Sequence, residues 1–185
     1  MPKKRILVIG ASSGIGLATT ERLSNEKYEI IAAARSEGNL ANLSGVRYVP
    51  FDTLADVLPD DVTSQALDGL VYCPGTITLK PFRSLKGDDF VDDYRINVLG
   101  AVRVLKSTLR ALRKSDHASV VMFSSVAAQT GMPYHASIAA AKGAVEGLAR
   151  SLAAELAPAI RVNAIAPSLT DTQLAGRLLG SEQKR

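Results

Sequence analysis

Short apolar runs alternate with longer amphipathic stretches along this chain. Lys4–Ile9 is mostly apolar and ends at Gly10, the pattern of a buried strand. Glu29–Ala34, Arg47–Phe51, Leu70–Cys73, Ala118–Phe123 and Ile160–Ile165 repeat it. Leu17–Leu23 has helical character. Asp88–Leu112 spaces Val91, Val98, Val102, Leu105, Leu109 and Leu112 as one long helix would. Ala136–Ala157 reads as a second long helix, stopped by Pro158, which lacks the amide hydrogen that a helix needs. Strands alternating with helices predict right-handed crossovers and a parallel sheet covered on both faces. The expected fold class is therefore α/β, a three-layer, doubly wound parallel sheet in a single domain over 1–185.

Composition narrows the picture. With 185 residues, 46% hydrophobic and 22% charged, the chain suits one globular domain with its own core. Cys73 is the one cysteine, which excludes an internal disulfide and any zinc-type cysteine pair. His117 and His135 lack metal-ligand spacing, so no metal is expected. The net charge of +4 is modest. The basic start, Met1 to Arg5, reads as a solvated lead-in to the first strand, and the few aromatics offer no base-stacking platform. Ile6–Ile9 is too short for a signal core or a membrane span. The Ala-rich stretch carries Lys142, Glu146, Arg150 and Glu155, which argues against lipid. A cytoplasmic protein that binds neither nucleic acid nor membrane is expected.

The glycines point to a site. Ligands of such sheets bind beyond the carboxyl ends of the strands. The first strand ends in Gly10-Ala-Ser12-Ser13-Gly14-Ile15-Gly16. Glycines there let the backbone approach a pyrophosphate, and the following helix offers free amides and a positive dipole end. The spacing is neither that of a P-loop nor G-x-G-x-x-G.

This loop resembles the cofactor loop of the short-chain dehydrogenase/reductase family, and further residues resemble that family in order. Asp52 follows the third strand, Cys73-Pro74-Gly75 the fourth, Asn97 lies in Arg-Ile-Asn-Val, and Ser125 in Phe-Ser-Ser-Val. Lys142 matches the lysine of the family's Tyr-x-x-x-Lys motif. Arg161-Val-Asn-Ala-Ile-Ala-Pro167 is similar to the sixth strand and its turn, followed by Thr172. The resemblance covers essentially the whole chain and implies a Rossmann-type, NAD(P)-binding domain. It implies that Asp52 contacts adenine, that Lys142 bonds the nicotinamide ribose and that Thr172 contacts the nicotinamide end, with Gly75 and Pro167 in the same cofactor site. It further implies that Ser125 bonds the substrate oxygen, and that Asn97 holds a helix irregularity and a water linked to the lysine.

One position departs. The residue four before Lys142 is Ile138, thirteen after Ser125 (138 − 125), where the family carries its catalytic tyrosine. Isoleucine has no transferable proton. Three explanations stay open. Tyr134 or His135 could replace it as the acid, with His135, Ile138 and Lys142 on one face if the helix starts early enough. Lys142 could deliver the proton through a water. Or the domain binds cofactor without turnover, as a regulatory or structural subunit.

Smaller signals complete the reading. The second strand ends in Ala33-Ala34-Arg35-Ser36, without an acid to repel a 2′-phosphate. Arg35 therefore predicts NADP(H) over NAD(H). Cys73 reads as a packing residue, and Asp92 and Asp93 beside Arg95 as a solvated helix face. The chain stops at Arg185, before the further helix and seventh strand of the family, which suggests that the polypeptide continues. Helices 88–112 and 136–157 resemble the family's dimer-forming pair, with Ala139, Gly143 and Gly147 allowing close approach, so a homodimer or homotetramer is expected. The expected activity is NADP(H)-dependent hydride transfer with a small carbonyl or alcohol substrate. The rival is a non-catalytic dinucleotide-binding module.

Overall fold

The computed structural model of the chain describes residues 3–26 and 28–176. Six parallel strands make one sheet: β1 (Lys4–Ile9), β2 (Tyr28–Ala34), β3 (Val46–Pro50), β4 (Gly69–Tyr72), β5 (Ala118–Phe123) and β6 (Ile160–Ile165). Their order is β3-β2-β1-β4-β5-β6, so the winding direction reverses between β1 and β4. The helices are α1 (Gly14–Ser24), α2 (Asp60–Thr63), α3 (Gly87–Tyr94), α4 (Gly100–Leu112), α5 (Ala127–Thr130) and α6 (Ala136–Leu156). This is the expected doubly wound, Rossmann-type α/β fold. No described helix is long and apolar enough to cross a membrane.

Alternation along β1 divides the core. Leu7 and Ile9 face the larger cluster, with Ile31, Leu70, Val104, Leu112, Val145 and Leu156. Val8 faces the smaller one, with Ile30, Ala32 and Leu40, under Leu17 and Leu23 of α1. Leu7, Val8, Ile30 and Ile31 are all fully buried, which explains the near-continuous apolar runs: both faces of a parallel strand are covered. Each such side chain contributes about 1.5–3 kcal/mol by leaving water.

The expected strands hold to within a residue, and α6 ends at Leu156 as foreseen, because Ala157 is drawn into an extended conformation (ψ 149°) before Pro158. Three expectations need correction. The single helix over 88–112 is three pieces: α3, a π-helical turn at Arg95–Leu99, and α4. Hydrophobic spacing does not register one extra residue in a turn, whereas the irregularity that the resemblance implied at Asn97 is present. Side chains hold the π turn: Asn97 Nδ2 donates to the Asp93 carbonyl at 2.8 Å, and the Tyr72 hydroxyl donates to the Ile96 carbonyl at 2.6 Å. Second, Arg5 is not solvated. It is 8% exposed and pairs with Glu29 at 2.9 Å. Third, the solvated face of Asp92 and Asp93 is only half right. Asp92 is exposed and lies 3.9 Å from Arg95, whereas Asp93 is 0% exposed.

Candidate functional site

A cleft of about 680 Å³ opens at the carboxyl ends of the strands, where the winding reverses. Gly10, Ser12, Ser13, Gly14, Ile15 and Gly16 form its floor. The backbone decides this loop. Gly10 has φ +75°, and a Cβ on Gly16 would lie 2.1 Å from the Gly10 carbonyl oxygen. The tight turn aims the start of α1 into the cleft. The Ser13 hydroxyl makes no capping bond there, and the first amides of a helix have no carbonyl one turn back. A negative group is favoured at that point. Arg35 is exposed on one wall, after β2. Asp52 lines another, with its Oδ1 accepting from the Leu54 amide at 2.8 Å. Thr172 closes the near side, its hydroxyl accepting from the Ala175 amide at 3.3 Å.

Gly75 joins this cleft to the second half of the site. A Cβ there would lie 3.1 Å from Asn97 Oδ1 and 3.3 Å from Lys142 Nζ. Two polar groups from distant helices thus converge on a spot that a side chain on residue 75 would crowd. Lys142 Nζ donates to the Phe123 carbonyl at 2.8 Å, which fixes it beside the end of β5. Burial pulls the ammonium down from 10.5 to about 8, against smaller upward pulls from Cys73, which acts only where its thiol is ionised, and from the Asp93 carboxylate. Burial pushes the neighbouring Cys73 thiol up to about 12, the behaviour of a packed neutral thiol. Ser125 follows β5, and its Oγ accepts from the Ala127 amide at 3.2 Å. The adjoining loop is held to it: the Val126 amide donates to the Pro167 carbonyl at 3.2 Å. Ser124 donates to Glu146 Oε1 at 2.8 Å, tying this turn to α6.

Among the described residues, the side chains of Tyr134 and His135 make no hydrogen bond to Ser125, Asn97 or Lys142. Tyr134 is 61% exposed with φ +69°. His135 precedes the first turn of α6 and its Nδ1 lies 2.7 Å from the Pro133 carbonyl. Neither lines the cleft, and the side chains of Ser125, Asn97 and Lys142 do not line it either. Ile138 is 5% exposed, an apolar plug in the first turn of α6. The sequence reading missed Asp93, Thr76 and Thr78. Thr76 Oγ1 donates to Asp93 Oδ1 at 2.5 Å, Thr78 Oγ1 to the same oxygen at 3.0 Å, and Asn97 Nδ2 to Thr76 Oγ1 at 2.9 Å. The available signal was helical: Asp93 lies four residues before Asn97, on the same face.

A single parallel sheet with a glycine-lined cleft at its switch point, next to a buried Asn and a half-buried Lys, defines a dinucleotide-binding class of protein. Comparison with known sequences gives the family. The short chain dehydrogenase family profile matches residues 4–183, and this chain belongs to that family. It is 32% identical to the short-chain reductase protein NovJ of Streptomyces niveus, over 93% of this chain and 71% of that protein. It is 30% identical to L-xylulose reductase of Bos taurus, over 98% of this chain and 78% of that protein. Among solved structures, a short chain dehydrogenase of Escherichia coli CFT073 complexed with NADPH superposes with a TM-score of 0.88 at 26% identity, covering 100% of this chain and 84% of that one.

Proposed function

We propose that the protein is an NADP(H)-dependent oxidoreductase acting on a small carbonyl or alcohol. The observation that carries this reading is the convergence of Asn97 Oδ1 and Lys142 Nζ on Gly75, at the end of a dinucleotide-sized cleft. The free amides at the start of α1 would hold the pyrophosphate, and Asp52 the adenine side. Arg35, with no acid beside it at the end of β2, would pair with a 2′-phosphate. Relatives named as reductases support the oxidoreductase reading, and a neighbour solved with NADPH supports the cofactor. When bound, the nicotinamide supplies or accepts the hydride. Ser125 Oγ, whose proton is free of the Ala127 contact, would donate to the substrate oxygen. Lys142 Nζ would hold the ribose. With its ammonium pulled down to about 8, it also gives up a proton near neutral pH far more readily than an ordinary lysine.

Ile138 favours a second reading, a cofactor-binding domain without turnover, since isoleucine has no proton to transfer and, among the described residues, neither Tyr134 nor His135 hydrogen-bonds through its side chain to Ser125 or Lys142. Single-turnover oxidation of bound NADPH against a broad set of carbonyl compounds separates the two, with an Ile138→Tyr variant alongside. The expected result is slow, substrate-dependent oxidation by the wild type. A tyrosine acid at that position adds on the order of a hundredfold. A silent wild type beside an active Ile138→Tyr variant would establish the non-catalytic reading. Silence from both, with NADPH bound, would count against the reductase reading for those substrates.

A further inference from the structure

Three buried side-chain polar atoms lack a hydrogen-bond partner among the described residues: Asp93 Oδ2, Asn97 Oδ1 and Ser137 Oγ. The first two belong to one network. Asp93 is 0% exposed, Asn97 is 1% exposed, and Thr76 lies between them. A buried acid with a bare oxygen is costly to keep, and the solvated role expected of Asp93 does not account for it.

The network has a direction. Thr76 has one hydroxyl proton, and it goes to Asp93 Oδ1 at 2.5 Å. Towards Asn97, Thr76 Oγ1 is therefore an acceptor, and only the amide nitrogen of Asn97 satisfies it. The same nitrogen donates to the Asp93 carbonyl oxygen at 2.8 Å. Asn97 must then turn its Oδ1 the other way, to the spot beside Gly75 where Lys142 Nζ also points. An amide turned over would present hydrogens to an ammonium.

We propose that Asp93 is a positioning residue and counter-charge for Lys142: through Thr76 it fixes the Asn97 amide with its oxygen facing the lysine, and its carboxylate favours the charged ammonium. The proposal rests on reading Lys142 as the working cation of this site. Other charged candidates are accounted for. Cys73, at the end of β4, holds its thiol up to about 12 and is neutral where Lys142 titrates. Glu146, one turn along α6, is engaged by Ser124 and Gln129 and lies 3.8 Å from Arg150.

The test is the titration of Lys142 in the full, unliganded chain, followed by NMR at its side-chain carbon next to nitrogen and assigned by loss of the signal in Lys142→Arg. It needs neither cofactor nor turnover, so its failure is distinct from failure of the proposed activity. Asp93→Asn keeps the shape and removes the charge. The expected result is a fall in the Lys142 midpoint of about half a pH unit or more, because an opposite charge has been lost. A folded Asp93→Asn with an unchanged midpoint would overturn the proposal. Should that variant fail to fold, Thr76→Val decides. It keeps the carboxylate and removes the hydroxyl, so the Asn97 side-chain amide resonances should move and the Lys142 midpoint should fall. Neither change would overturn it equally.

Discussion

The two ends of the cleft are built on different principles. At the β1–α1 end the backbone shapes the site. Its requirements are conformational, and Gly10 and Gly16 satisfy them whatever the neighbouring side chains are. At the β4–α6 end side chains do the work, and each depends on another: Lys142 on the Phe123 carbonyl, Asn97 on Thr76, Thr76 on Asp93. The first end follows the pattern that the family resemblance implies. The second keeps Ser125, Asn97 and Lys142 but carries Ile138, Cys73 and a buried acid at Asp93. A backbone site cannot be altered piecemeal, whereas a side-chain network can exchange members while its geometry survives.

The largest effect should come from breaking the backbone end. In Gly16→Ala the new methyl would meet the Gly10 carbonyl oxygen at 2.1 Å, so the turn must move. Overpacking of this kind costs up to about 3 kcal/mol, and about 1.4 kcal/mol is tenfold in affinity. NADPH affinity measured by fluorescence titration should therefore fall by about a hundredfold, with a lowered Tm. Retained affinity would show that the loop does not hold the pyrophosphate. An intermediate effect is expected at the side-chain end. Lys142→Met should weaken NADPH binding by about tenfold, the value of one charged hydrogen bond.

The same variant gives a pH signature. Burial pulls Lys142 from 10.5 down to about 8, so between those values the unfolded chain holds a proton that the folded one has released. The group costs stability below about 8, and that cost is relieved as pH rises towards 10.5. Wild-type stability, measured by denaturant unfolding relative to Lys142→Met, should therefore climb through that window. A flat or falling difference would contradict the burial of a titrating lysine.

This contrast also explains what could be read in the sequence. The strands were legible because fully covered parallel strands are almost wholly apolar. The cofactor loop was legible because its glycines are contiguous along the chain. The π turn at Arg95–Leu99 was not legible in the hydrophobic spacing, which tolerates a one-residue insertion; only the family resemblance implied an irregularity at Asn97, and the bonds that hold it come from Tyr72 and Asn97. Arg5 and Asp93 were placed in solvent by residue type. Their burial depends on partners distant in sequence: Glu29 for Arg5, Thr76 and Thr78 for Asp93. His135 was placed near Ile138 and Lys142 by helical spacing alone; it sits at the position just before α6, with its Nδ1 2.7 Å from the Pro133 carbonyl, a contact that spacing does not predict.

The smallest expected effect sharpens the comparison most finely, because it concerns a side chain at the backbone end. Arg35 is exposed on the cleft wall, so water screens any pair that it makes. Exposed ion pairs contribute up to about 1 kcal/mol, which sets a loss of about fivefold for NADPH in Arg35→Ala. NADH carries no 2′-phosphate, and its affinity should stay where it was. Parallel titrations with both dinucleotides read the ratio directly. If both affinities fell together, Arg35 would be contributing to the shape of the wall and not to the choice of cofactor. If neither moved, any preference for NADP(H) would have to come from backbone amides of the loop after β2. In that case even cofactor choice would belong to the main chain, and the division between the two ends of the cleft would be complete.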